Sequence, residues 1–90
     1  MEKRHQDSLT DRLEDAWLNG VSHVTWEELY LWYDTQKIAA RTYRDLQNRW
    51  WDLTDGKGAT LTRIEGRGGI FVFGGDRASK VDQKSISDEL

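Results

Sequence analysis

The sequence predicts a small α+β domain: three helices followed by a two-stranded β-hairpin. Three observations predict it. Residues 37–53, KIAARTYRDLQNRWWDL, separate into an apolar and a polar face when wound at about 100° per residue. Thr25-Trp26-Glu27-Glu28 carries the S/T-x-x-E signature of a helix start. Gly66-Arg67-Gly68-Gly69 joins two segments of strand character and reads as a hairpin turn.

Ninety residues allow one domain with a small core. The chain has no cysteine, so neither disulfides nor thiolate zinc sites can staple it. Ten aromatic residues, five of them Trp, must supply burial instead, and they argue against general disorder. No apolar run approaches membrane length, and the N-terminus MEKRHQD lacks the apolar stretch of a signal peptide. A cytoplasmic location without a membrane partner is therefore expected.

Residues 1–7 are polar and are expected to be flexible. The first helix should run from about Leu9 to Asn19, with Leu9, Leu13, Ala16 and Trp17 as its apolar stripe. Asp11, Glu14 and Asp15 crowd its early turns, where the helix dipole favours negative charge. Gly20 is its expected stop. Val21 to Val24 are too few for a full strand and should form a short bridge or an extended link. Thr25 then opens the second helix through a capping box with Glu28, and Val24 can staple against Leu29. That helix should end near Tyr33. It should bury Trp26, Leu29, Tyr30 and Tyr33, leaving Leu31 on the far side and Trp32 at the boundary.

Asp34-Thr35-Gln36 has turn chemistry. A third helix, from Lys37 or Ile38 to Leu53, places Ala39, Tyr43, Leu46, Trp50 and Leu53 on one core-facing stripe. After a loop, Ala59 to Glu65 and Ile70 to Phe73 read as the hairpin strands. The domain then spans residues 8–74. Residues 75–90 contain no aromatic and are expected to form a mobile tail.

Charge is unevenly distributed about the net −3. Residues 1–36 hold three Lys/Arg against eight Asp/Glu, whereas residues 37–67 hold seven against four. The positive segment coincides with the third helix and the hairpin, and local charge sets the field at a contact surface. Opposite the core stripe sit Arg41, Arg44 and Asn48, residue types that grip phosphates and read base edges. Arg49 adds a cation to this helix, and Arg63 and Arg67 place two more on the hairpin. Asp45 and Asp52 would repel phosphate unless Arg41 or Arg49 neutralises them.

Read together, these elements resemble the winged helix-turn-helix superfamily, whose pattern is helix, short strand, helix, turn, helix and a two-stranded wing. Residues 9–73 cover that pattern. The most similar piece is Ala40-Arg41-Thr42-Tyr43-Arg44-Asp45-Leu46, which looks like the start of a recognition helix. The resemblance implies that Arg41, Thr42, Arg44, Asp45 and Asn48 lie near the major groove. It also implies that Arg67 stands at the wing tip, near the phosphates or the minor groove.

Catalytic chemistry is not legible. His5 and His23 are the only histidines and stand at no metal-ligand spacing. Gly56-Lys57-Gly58-Ala59-Thr60 lacks the spacing of a phosphate loop. The serines lack the context of a nucleophile elbow. Neither enzyme activity, a cofactor, a metal site nor a small-molecule substrate is expected.

The expected function is non-enzymatic binding of double-stranded DNA, as a transcriptional regulator or accessory factor. The third helix would enter the major groove, with Arg41, Thr42, Arg44, Asn48 and Arg49 as contacts. Arg63 and Arg67 would hold the backbone. So few cations imply a homodimer or a larger complex for specific affinity. The alternative is a protein-interaction module, or a small inhibitor of a nucleic-acid-binding protein. It would use the acidic N-terminal third and the surplus aromatics. Leu31, Trp32 and Trp51 are its candidate contact residues. Trp51 lies about 100° from the core stripe and reads as a boundary residue under the hairpin or tail, as a dimer or partner anchor, or as a platform that stacks on an unpaired base.

Overall fold

The computed structural model describes residues 1–75 and residue 86. Its elements are α1 (Lys3–Asn19), β1 (Ser22–Thr25), α2 (Trp26–Tyr33), α3 (Ala40–Thr54), β2 (Leu61–Glu65) and β3 (Gly69–Gly74). Three helices pack with a three-stranded antiparallel sheet of order β1-β3-β2. The fold class is α+β as expected. The strand count is not: the hairpin is two-thirds of a larger sheet. The expected tail, apart from Gly75 and Ile86, lies outside the described residues.

Sequence patterning assigns residues 1–7 to a flexible N-terminus, yet α1 begins at Lys3. Its first turns contain local polar contacts instead of apolar burial. Lys3 pairs with Asp7 at 3.2 Å, and the Gln6 side chain donates to the Met1 carbonyl at 3.1 Å. Farther along, Leu9, Leu13 and Ala16 form the buried stripe, and the helix stops at Gly20 in the left-handed conformation.

Segment 21–24 looks too short for a strand because a strand needs a partner that local sequence does not reveal. β3 supplies it, in the register Ser22↔Val72 to Thr25↔Gly69. Ser22 and Val24 turn inward and His23 outward. Gly69 permits the approach. A Cβ there would stand 2.2 Å from the Val24 carbonyl oxygen and 2.7 Å from the Thr25 Cα, both backbone atoms that cannot yield.

The expected capping box is formed. Thr25 Oγ1 accepts from the Glu28 amide at 3.1 Å, and the Glu28 carboxylate accepts from the Thr25 amide at 3.0 Å. Arg12 of α1 reaches the same carboxylate with both terminal nitrogens, one of them at 2.8 Å, and also donates to the His23 carbonyl at 2.9 Å. One carboxylate therefore joins α1, β1 and α2. Burial pushes the Glu28 carboxyl up, but the bonds from Arg12 and Thr25 outweigh it and hold the group below the usual carboxylate range.

Trp50 of α3 is the largest fully buried side chain. Trp17 meets it edge-on, with ring centroids 5.8 Å apart. Leu9, Leu13, Leu29, Ile70 and Val72 complete the centre. Two expectations on α2 reverse: Trp32 is 4% exposed and belongs to the core, whereas Tyr30 is 40% exposed. The α3 stripe is also turned. Thr42, Leu46, Trp50 and Thr54 are buried, while Tyr43 and Leu53 flank them half-buried and Ala39 is exposed. The two threonines can enter because they are small. Thr54 is also satisfied there: its hydroxyl donates to the Trp50 carbonyl at 2.8 Å and accepts from the Gly58 amide at 3.1 Å.

Three outcomes check this account. Leu46→Ala should lower the unfolding free energy by roughly 2–5 kcal/mol, measured by denaturant titration. Gly69→Ala should cost roughly 1–3 kcal/mol or more, because β1 must move off β3. The Glu28 carboxyl binds its proton less readily folded than unfolded, so its contribution is full at neutral pH. That contribution should be lost as the pH falls from the usual carboxylate range through the lower value of the folded group. Glu28→Gln should lower the neutral melting temperature and flatten its decline in acid.

Candidate nucleic-acid interface

α3 turns one face to the core, so its opposite face must meet solvent. Arg41, Arg44 and Asn48 recur there at helical spacing and are exposed. Among the described residues, no carboxylate lies within ion-pairing distance of Arg41, Arg44 or Arg67. Arg67 is exposed in the turn between β2 and β3. That turn is tied to the body: the Trp26 indole donates to the Gly66 carbonyl at 3.0 Å, and the Trp26 amide to Gly68 at 3.4 Å.

The other expected contacts are engaged elsewhere. Thr42 is 4% exposed and faces the core, so it is not a groove-reading residue. Its position four residues before Leu46 puts it on the buried stripe. Arg49 is half-buried and donates through Nε to Asp45 at 2.6 Å. The Tyr33 hydroxyl donates to the same carboxylate oxygen at 2.6 Å. Burial pushes Asp45 up, but Tyr33 and Arg49 together outweigh it and hold the carboxyl below its usual range. Burial, and then the bond to Asp45, pushes the Tyr33 phenol up. Arg49 thus spends its charge cancelling Asp45, while Asp52 remains exposed near the end of the helix.

Arg63 is also engaged. Its guanidinium lies 3.6 Å from the centroid of the Tyr43 ring, and its Nε donates to Glu65 at 3.0 Å. The Tyr43 hydroxyl donates to the same Glu65 oxygen at 3.1 Å. Gln47 adds a second tie between α3 and β2, accepting from the Leu61 amide at 2.8 Å. Between helix and strand lies a groove of about 350 Å³, lined by Tyr43, Arg44, Gln47, Leu61 and Arg63 over an apolar floor. Sequence reasoning missed Tyr43 and Glu65 as site residues. One signal was present: Arg63 and Glu65, two apart on a strand, share a face.

The remaining candidates divide. Trp32 is buried in the core and so cannot serve as an interface residue, whereas Leu31 is 59% exposed. Trp51 leans over Gly56, not under the hairpin, and is 56% exposed. His23 stacks on Phe71 with centroids 4.6 Å apart. Among the described residues no cluster of His, Cys, Asp or Glu could hold a metal ion, and no helix is long and apolar enough to cross a membrane. No protein-family model matches the chain, and neither a curated protein nor a solved structure does.

The Asp45 cluster can be tested directly. Arg49→Ala leaves a partly covered carboxylate with Tyr33 alone and should cost about 1 kcal/mol of stability, discounted for solvent screening. A melt at low and high salt measures it.

Proposed function

We propose that the chain is a winged-helix protein that binds double-stranded DNA without catalysing a reaction, as a transcriptional regulator or accessory factor. The carrying observation is the outer face of α3. Arg41, Arg44 and Asn48 stand exposed there, and neither arginine has a carboxylate partner among the described residues. An α-helix fits the major groove, where arginine and asparagine discriminate bases. Cancellation of Asp45 by Arg49 and Tyr33 removes a repulsion from the same helix. The element order, with its strand between the first two helices and its closing hairpin, is similar to the winged-helix pattern.

Arg41 and Arg44 enter the groove in this reading, and Asn48 reads an adenine edge or holds a phosphate. Arg67 holds the backbone from the hairpin turn. Thr42 and Arg49 are structural. Arg41, Arg44 and Arg67, the arginines of this surface without a carboxylate partner among the described residues, give weak affinity to one copy, so specific binding requires a dimer or a larger complex.

A second reading, protein docking, draws on the exposure of Leu31 and Trp51. Duplex binding at graded salt separates the two. Under the DNA reading, affinity falls steeply with salt as counterions are released. Arg41→Ala and Arg44→Ala each cost about 1–3 kcal/mol for a base contact, or flatten the salt slope by about one for a phosphate contact. Arg67→Ala weakens all sequences alike, and Arg49→Ala weakens binding by baring the Asp45 carboxylate. Absence of salt-sensitive binding by monomer and dimer overturns the DNA reading. A partner lost on changing Leu31 or Trp51 would then establish docking.

A further inference from the structure

The Glu65 carboxylate is held as a bound oxyanion would be. One of its oxygens accepts from Arg63 Nε at 3.0 Å and from the Tyr43 hydroxyl at 3.1 Å. The guanidinium is already placed, over the Tyr43 ring at 3.6 Å from its centroid. A second arginine, Arg44, lines the groove beside this pair and has no carboxylate partner among the described residues. A guanidinium and a hydroxyl on one oxyanion, with a further cation lining the adjacent groove, are donors of the kind that recognise a phosphodiester.

We infer that Tyr43, Arg63 and Arg44 form a phosphodiester-binding site, and that Glu65 fills it in the free protein as an internal stand-in for phosphate. The inference rests on the DNA reading for its ligand, the duplex backbone, and on geometry alone for the anion site. Exchange is easy because the pair is open to water. The Arg63 side chain is 43% exposed and that of Glu65 is 52% exposed. Exposed ion pairs of this kind contribute little net free energy, so a phosphate need displace only a weakly held group. Glu65 sits near the end of β2, beside the turn, where its side chain can swing into solvent without moving the sheet. Glu65 thereby sets a threshold: it subtracts one cation from the surface until a backbone phosphate is positioned to replace it. Arg63 is then a backbone contact only in the complex, and Tyr43 is both a packing residue and a phosphate donor.

The test uses the full chain in two arms. In the first, inorganic phosphate is titrated at constant ionic strength while NMR follows the Arg63 Nε–H and Tyr43 ring signals. Glu65→Ala should show saturable shifts at phosphate concentrations roughly tenfold below any response of the unaltered protein. Glu65→Gln, which removes the charge and keeps the shape, should fall between them. Adding Tyr43→Phe to Glu65→Ala should weaken the response while the ring stays under Arg63. No shift in Glu65→Ala, or one equal to that of the unaltered protein, overturns the site. In the second arm, Glu65→Ala should raise duplex affinity roughly tenfold at low salt and steepen the salt slope by about one. Arg63→Ala should abolish that gain and, by losing the phosphate contact and baring Glu65, weaken duplex binding by itself. Unchanged or lower affinity in Glu65→Ala, with Arg44→Ala still weakening binding, overturns the stand-in role. If phosphate binds to Glu65→Ala but no variant binds duplex, the anion site stands and the DNA reading falls.

Discussion

The pairing of β3 on both of its edges is the constraint from which the rest of the arrangement follows. β3 meets β1 from Ser22↔Val72 to Thr25↔Gly69 and meets β2 from Leu61↔Gly74 to Glu65↔Ile70. Its inward residues, Ile70 and Val72, are among the most completely buried in the chain. A free hairpin would be marginal in water. Joined to β1, it becomes a sheet with one face on the helices, and its turn lies against the start of α2. Gly69 is the residue that permits this, because the β1 backbone occupies the space of a side chain. Arg63, Glu65 and Arg67 are thereby held at defined positions relative to α3.

α3 serves two environments at once. Its inner stripe uses small Thr42 and Thr54 on either side of Leu46 and Trp50, so the helix sits close to α1 and the sheet. Its outer stripe carries the exposed Arg41 and Arg44. Between the stripes lie residues that connect them. Tyr43 packs on the core and reaches Glu65, Asp45 takes bonds from Tyr33 and Arg49, and Gln47 holds the Leu61 amide. These flanking polar contacts orient the exposed face. They also decide which cations remain available, a matter that net charge alone does not reveal. Of the arginines on α3 and the hairpin, Arg49 and Arg63 are internally neutralised, whereas Arg41, Arg44 and Arg67 have no carboxylate partner among the described residues.

Much of this was legible in the sequence, and what was legible is local. The stop at Gly20, the capping box at Thr25 and Glu28, the glycine-rich turn and the amphipathic third helix each depend on residues within a few positions of one another. Arg41, Arg44 and Asn48 on an outward face follow from the same helical periodicity. The acidic first third and basic middle follow from composition.

Tertiary structure decided what depends on distant partners. Whether segment 21–24 is a strand rests on β3, nearly fifty residues away. Which of Tyr30 and Trp32 is buried rests on how α2 rotates against α1 and the sheet, a rotation that periodicity leaves free within one residue. The same freedom moved Thr42 from the expected contact face to the core. Some side-chain pairings are also long-range. Arg12 meets Glu28 across sixteen positions, and Tyr43 brings its hydroxyl to Glu65 across twenty-two. Sequence by itself therefore determined the elements, their ends and the charge each carries. Only packing determined which distant side chains they meet, because such pairing depends on separations of a few ångströms that the fold sets and the local sequence does not.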